Sequence, residues 1–180
     1  QRAVLMTGPV SITLTEFQKH LVVEEAYRRQ MSNEAASRKG RNNGPEEGKK
    51  ALNAHMIGAA GEMAVAAFTG TEAFLFKEVD PVRGSYDLPP CVDVKTRSRH
   101  SYDLLVQFDE TSEKILVLVT IEDKEILLHG WIWAADASRL GARSEYVPGR
   151  PCWSVPQNQL HDAKWLQAAM LDFALTKNYL

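Results

Sequence analysis

Residues 91–97, Cys-Val-Asp-Val-Lys-Thr-Arg, constrain the fold more tightly than any other stretch. β-Branched residues alternate with charged ones, and a strand places successive side chains on opposite faces. Val92 and Val94 therefore share one face, and Asp93 and Lys95 share the other. The valine face must be covered by a core. The other face sets a carboxylate beside an ammonium group. Pro89-Pro90 bends the chain just before this strand, so Asp87, six residues upstream of Asp93, is close enough to fold back beside it.

The surrounding pattern places this strand in a mixed architecture. Thr13 and Glu16 read as a T-x-x-E capping box, which predicts an N-terminal helix over residues 14–37 with Leu14, Phe17, Leu21, Val22 and Ala26 on its apolar stripe. Residues 39–48 (KGRNNGPEEG) read as a mobile loop near the substrate groove. A second helix is expected over residues 50–68, ending at Gly70. Strands are expected over residues 73–79, 91–97, 102–107, 114–121 and 125–133, with a weak one over 84–88 and a tight turn at Glu122-Asp123-Lys124. Residues 161–177 return to helical periodicity, with Leu166, Ala169, Met170 and Phe173 on one face. Two helices, a run of strands and a terminal helix predict an α/β (α+β) domain with one sheet flanked by helices, spanning residues 1–180 as a single unit.

With 180 residues the chain can bury a genuine core. No window approaches the apolar length of a membrane span, and no secretory leader is recognisable, so the expected compartment is the cytoplasm. Cys91 and Cys152 lack C-x-x-C partners, which argues against a zinc ribbon or disulfide scaffold. The net charge of −2 lacks the basic excess of proteins that wrap nucleic acid non-specifically. Basic residues nevertheless cluster at Arg38, Lys39, Arg41, Lys49 and Lys50, and again at Arg97, Arg99 and His100. Acid collects at Asp109-Glu110, Glu113, and Glu122-Asp123 with Glu125.

The second helix carries a lone acid, Glu62, in Gly58-Ala-Ala-Gly-Glu-Met-Ala-Val-Ala66. A carboxylate in so apolar a segment is costly to bury without a partner. Gly58 and Gly61 each weaken the helix by roughly 1 kcal/mol, a cost that close approach to the sheet would explain. The alternative is a Glu62 exposed on the outer face. His55 lies on the same helical face, where a structural imidazole is the simpler reading. For Asp93 and Lys95 the plain alternative is an ion pair on an exposed sheet. Trp131 and Trp133 share a strand face, where core packing outweighs base stacking. Taken together, two carboxylates and a lysine beside a strand are the parts needed to hold a hard divalent cation and cut a phosphodiester.

At this point the chain resembles the PD-(D/E)xK nuclease superfamily, whose fold is restriction-endonuclease-like. The residues that carry the resemblance are Gly58-x-x-Gly61-Glu62, Asp87 and Asp93-Val94-Lys95-Thr96. The strand Asp103-Leu-Leu-Val106 and Gly130-Trp131-Ile132 are similar to small phage and mobile-element members. The likeness covers roughly residues 51–133. Asp87 is not preceded by proline, so the acid alone carries that half of the motif, and Asp80 and Asp103 are rival acids.

The resemblance implies a central mixed sheet flanked by helices and a Mg²⁺- or Mn²⁺-dependent endonuclease, with DNA the favoured substrate and a homodimer among its partners. Asp87, Asp93, the Val94 carbonyl and Glu62 would converge on the cation. Lys95 would orient the attacking water and stabilise developing charge. Arg97, Arg99, Lys49 and Lys50 are candidates for backbone phosphates, with His55 and Gln107 as accessory residues. The rivals are an inactive nucleic-acid- or protein-binding module on the same fold, and an interaction or inhibitor protein whose Asp/Lys pair is structural.

Overall fold

The computed structural model describes residues 8–35, 49–76, 86–110 and 112–177. In chain order these form β1 (Val10–Ile12), α1 (Glu16–Ala35), α2 (Lys49–Thr69), β2 (Val92–Arg97), β3 (Leu104–Gln107), β4 (Ile115–Glu122) and β5 (Glu125–Trp133). They continue as α3 (Ala137–Leu140), β6 (Ala142–Val147), β7 (Arg150–Val155) and α4 (Leu166–Thr176). The class is mixed α/β, but the strands divide into two sheets rather than one. A four-stranded sheet has the order β1-β5-β4-β2, and a three-stranded sheet has the order β3-β7-β6.

β4 explains the layering. Its run Ile-Leu-Val-Leu-Val-Thr is buried throughout, as expected of a strand covered on both faces. Ile115, Val117 and Val119 join Val92, Val94 and the α2 residues Ala59, Met63 and Ala66 in one cluster. Leu116 and Leu118 point the other way and pack with Leu104, Val106, Ile132 and Val155 in a second. β2 runs parallel to β4, from Val92 opposite Ile115 to Arg97 opposite Thr120. Parallel neighbours need a crossover, and here it passes through β3, which belongs to the other sheet. β4 and β5 form an antiparallel hairpin. The turn at Asp123 and Lys124, both with positive φ, is the one expected from the sequence.

Several expectations need correction. The cap of α1 is Thr15 with Gln18, each accepting the other's backbone N–H, so Thr13 and Glu16 do not form the capping box. Leu14, Val22 and Ala26 are buried, whereas Phe17 is exposed. Residues 72–74 form a 3-10 turn instead of starting a strand, Leu75 and Phe76 continue as a turn, and residues 77–79 lie outside the described residues. So do the 39–48 loop, Arg38 and Asp80. Of the 84–88 segment residues 86–88 are described, and among them Leu88 makes a strand-like bridge to Val92. α4 begins at Leu166, after a 3-10 turn over Ala163–Trp165 whose Asp162 side chain accepts from the Lys164 N–H. Trp131 is buried, edge-on to Trp133 at 6.0 Å, and neither is a stacking surface.

α2 reaches the sheet because Gly61 lies directly against Thr96 on β2. A Cβ at position 61 would run into the Thr96 hydroxyl and meet its Cβ and Cγ2 at 3.0 Å. Gly58 has no such need, its nearest neighbour being Arg29 at 3.9 Å. Among the described residues no helix is long and apolar enough to cross a membrane.

Candidate functional site

Among the described residues β2 is the outer strand of its sheet, so one row of its backbone groups has no partner in a named strand there. The turn before it folds Asp87 onto that edge. Both Asp87 N–H and Leu88 N–H donate to Val92 O, and Val92 N–H donates back to Leu88 O. The Val94 N–H then donates to Asp87 Oδ2 at 2.7 Å. In an extended strand a residue's N–H and C=O point to the same side, so the Val94 carbonyl faces the edge where Asp87 sits.

Asp87 also meets Asp93. Burial raises the pKa of Asp87 well above the ordinary aspartate value, and the charges of Glu62 and Asp93 and the hydrogen bond to Asp93 raise it further. The Val94 N–H opposes these effects only in part. Burial pushes Asp93 upward too, but the hydrogen bond from Asp87 and the ammonium groups of Lys95 and Lys114 outweigh it and leave Asp93 below its ordinary value. Burial and the neighbouring charges thus disfavour the ionised form of Asp87, while its neighbours favour that of Asp93.

Lys95 Nζ donates to Asp93 Oδ2 at 2.6 Å and to Glu110 Oε2 at 2.8 Å. Lys114 Nζ lies 2.9 Å from Glu110 Oε1 and 3.6 Å from Asp93 Oδ2. Burial alone would lower the Lys95 pKa, but its two carboxylates reverse that and raise it. Burial would raise Glu110, and its two lysines hold it below its usual range. The result is a mostly buried square of two acids and two lysines, with Asp87 attached at one corner.

Glu62 is buried, as its apolar surroundings suggested, but a partner from α1 satisfies it. Arg29 Nη1 and Nη2 bind its two oxygens at 2.8 and 2.6 Å. Arg29 Nε donates to Glu25, which Arg28 grips with two further bonds. Burial works against Glu25's charge, yet both arginines keep its pKa low. Glu25 and Glu62 together raise that of Arg29 against the pull of its own burial. A cavity of about 130 Å³ is lined by Glu25, Arg28, Arg29, Glu62, Phe76, Tyr86 and Asp87.

α2 packs on the valine face of β2, whereas the β2–β4 register puts Asp93 and Lys95 on the face shared with Leu116 and Leu118. Glu62 and Asp93 thus approach from opposite faces of an edge strand, and Asp87 stands between them. The single focus expected from the sequence is replaced by a relay, Glu62 to Asp87 to Asp93 to Lys95. Among the described residues no group of three or more His, Cys, Asp or Glu side chains stands in metal-ligand geometry.

The other candidates scatter. Arg97 continues the Asp93/Lys95 row and lies 4.8 Å over the Tyr102 ring. Arg99 is exposed and pairs with Glu122. Lys49 and Lys50 open α2, about 20 Å along its axis from Glu62. His55 is held by Asn33 of α1. Gln107 ends β3, exposed. Sequence reasoning missed Glu110 and Lys114: the first was read only as part of an acidic run, and the second only as the start of the strand over residues 114–121. It also missed Glu25, Arg28 and Arg29, whose i, i+3, i+4 spacing on α1 was a readable signal.

Comparison of the chain with known protein families, with curated proteins and with solved structures found no match.

Proposed function

We propose that the chain is a divalent-metal-dependent nuclease of the PD-(D/E)xK type on a diverged restriction-endonuclease-like core, with DNA the favoured substrate. The observation that carries this reading is the Asp87–Asp93 pair, two carboxyl groups in hydrogen-bond contact at a strand edge, with the Lys95 ammonium 2.6 Å from Asp93 and the Val94 N–H 2.7 Å from Asp87. A purely structural ion pair needs one acid. A second acid whose charge is disfavoured by burial and by the carboxylates around it marks a place suited to a cation. The donors on offer, two carboxylates and the Val94 carbonyl, are all oxygen, which suits Mg²⁺ or Mn²⁺. Glu62 would contribute through water or after Arg29 yields an oxygen. The apolar helix, the acid-bearing turn and the acid-x-lysine strand come in the superfamily's order, which supports the finer fold.

When bound, such an ion polarises the scissile phosphate and lowers the pKa of a coordinated water. Asp87 and Asp93, both ionised, would hold it through their carboxylate oxygens. Lys95 stays protonated, because its two acids raise its pKa, so it serves as donor and charge rather than as general base. An ammonium has three N–H groups, and two point at Asp93 and Glu110. The third can orient the attacking water or meet charge on the phosphorane. Water oxygen bonds to phosphorus, the P–O3′ bond breaks, and a 5′-phosphate and a 3′-hydroxyl remain.

The full pairing of Lys95 and Lys114 with Asp93 and Glu110 favours a second reading, a non-catalytic binding module in which the square is structural. Incubation with single- and double-stranded DNA and RNA in Mg²⁺, Mn²⁺ or EDTA separates the two. Cleavage that needs metal and is lost in Asp93→Ala supports the nuclease. Binding without cleavage of any substrate in either metal supports the module.

A further inference from the structure

Two exposed aromatic rings, each paired with an arginine, flank the acid–lysine square. Phe108 lies stacked on Trp153, with ring centroids 4.8 Å apart and planes 29° from parallel. The Arg143 guanidinium is 5.5 Å from the Phe108 ring. Arg143 and Trp153 are cross-strand neighbours on β6 and β7, so Phe108 rests across both. At the other end of β3, Tyr102 carries Arg97 4.8 Å over its ring. Phe108 is 44% exposed and Tyr102 41%.

Their position ties them to the site. Glu110, which holds Lys95 at 2.8 Å, follows Phe108 by two residues, at most about 7 Å of chain. Arg97 follows Lys95 by two on the same face of β2. Five residues, mostly the extended β3, lie between Tyr102 and Phe108, a span of at most about 20 Å. The β2 row meets both ends of it, through Arg97 at Tyr102 and Asp103 and through Lys95 at Glu110.

We propose that this strip binds single-stranded nucleic acid by stacking unpaired bases on Phe108 and Tyr102, with Arg143 and Arg97 serving the adjacent phosphates. In a duplex the base faces are covered by one another, so exposed rings can stack only on unpaired bases. Binding through phosphates alone calls for a basic excess, and the chain has a net charge of −2. Stacking supplies affinity without that excess. The assignment deepens the nuclease reading, since it names that site's substrate as single-stranded, but its test runs without catalysis.

The test is fluorescence anisotropy in EDTA with labelled oligo-dT, oligo-U and a mixed-sequence duplex of equal length. Single strands should bind at least tenfold tighter than duplex, and the dT and U arms report whether the sugar matters. Phe108→Ala should weaken single-strand binding roughly 5- to 150-fold, the range of one lost base stack, and leave duplex binding unchanged. Phe108→Leu keeps the apolar contact with Trp153 but removes the π face. It should show the same loss with unfolding midpoints at wild-type values, which separates stacking from packing. Duplex binding equal to or tighter than single-strand binding overturns the proposal, as does full single-strand affinity in Phe108→Leu. Metal-dependent cleavage of duplex without single-strand preference would overturn this inference and leave the nuclease reading standing. Single-strand preference without cleavage in any metal would do the reverse.

Discussion

Gly61→Ala tests whether the approach of α2 to β2 is what places Glu62 beside Asp87. In a helix interior the substitution should stabilise by about 1 kcal/mol, because alanine is the better helix former. Here the new methyl would run into Thr96 Oγ1 and press on Thr96 Cβ and Cγ2 at 3.0 Å. Thr96 is β-branched and stiff at χ1, so it cannot swing aside cheaply. Overpacking a filled site costs about 1–3 kcal/mol, and three contacts on one rigid side chain put this case at the upper end. The expected net loss is about 2 kcal/mol, or a Tm lower by about 4–8 °C for a chain of this size. Among the described residues Thr96 Oγ1 is buried without a hydrogen-bond partner, so Thr96→Ala should cost little by itself. The double variant should return to within about 1 kcal/mol of wild type, a coupling of about 2 kcal/mol read from urea unfolding at unchanged m. Additive effects in the cycle, or a Gly61→Ala variant as stable as wild type, would refute the close-approach argument.

On the proposed nuclease reading, in which the Lys95 ammonium acts mainly in the transition state, Lys95→Ala should lower cleavage by about 10²–10³ while nucleic-acid affinity stays close to wild type; single-turnover rates and anisotropy separate the two. Asp87 has a raised folded pKa, so its contribution to stability is whole below the unfolded value of about 3.9 and is lost as pH rises through the folded value. Asp87→Asn keeps a donor toward Asp93 without that titration, and its stability should decline less than that of wild type on the alkaline side, by urea unfolding across pH. Burial first, and the nearby His100 charge second, lower the pKa of His129. Its contribution is therefore present above about pH 6.5 and lost as pH falls below it, and His129→Gln should flatten the acid limb of the same stability profile.

Parts of this structure were legible because local signals and tertiary contacts agree. α2 and β2 fall within a residue of their expected bounds, and the β4–β5 turn sits where its polar triplet placed it. β2 could be read face by face because its alternation is strict. The second sheet was not legible. β6 (Ala-Arg-Ser-Glu-Tyr-Val) and β7 (Arg-Pro-Cys-Trp-Ser-Val) mix polar and apolar residues without a clean period, and pairing between distant segments leaves no local trace. β1 is three residues long and exists only by pairing with β5. For the site, the order of Glu62, Asp87, Asp93 and Lys95 was readable and their partners were not. Arg29 reaches Glu62 across 33 residues and Glu110 reaches Lys95 across 15, through helix–helix and sheet–sheet packing that periodicity does not encode.

Those partners also determine what the site lacks. Glu25 and Glu62 are balanced by Arg28 and Arg29, and Asp93 and Glu110 by Lys95 and Lys114. Both groups are formally neutral only while Asp87 keeps its proton. Exchanging that proton for a divalent cation would leave one net positive charge at the edge of β2, the complement of one phosphodiester. A monovalent ion would leave the site neutral, with no excess charge to draw a phosphate in. The two lysines and two arginines thus explain how so acidic a cluster is buried, and among the described residues Asp87 alone of these acids has no cationic side chain against it, which makes it the carboxyl that the proposed divalent ion would have to balance.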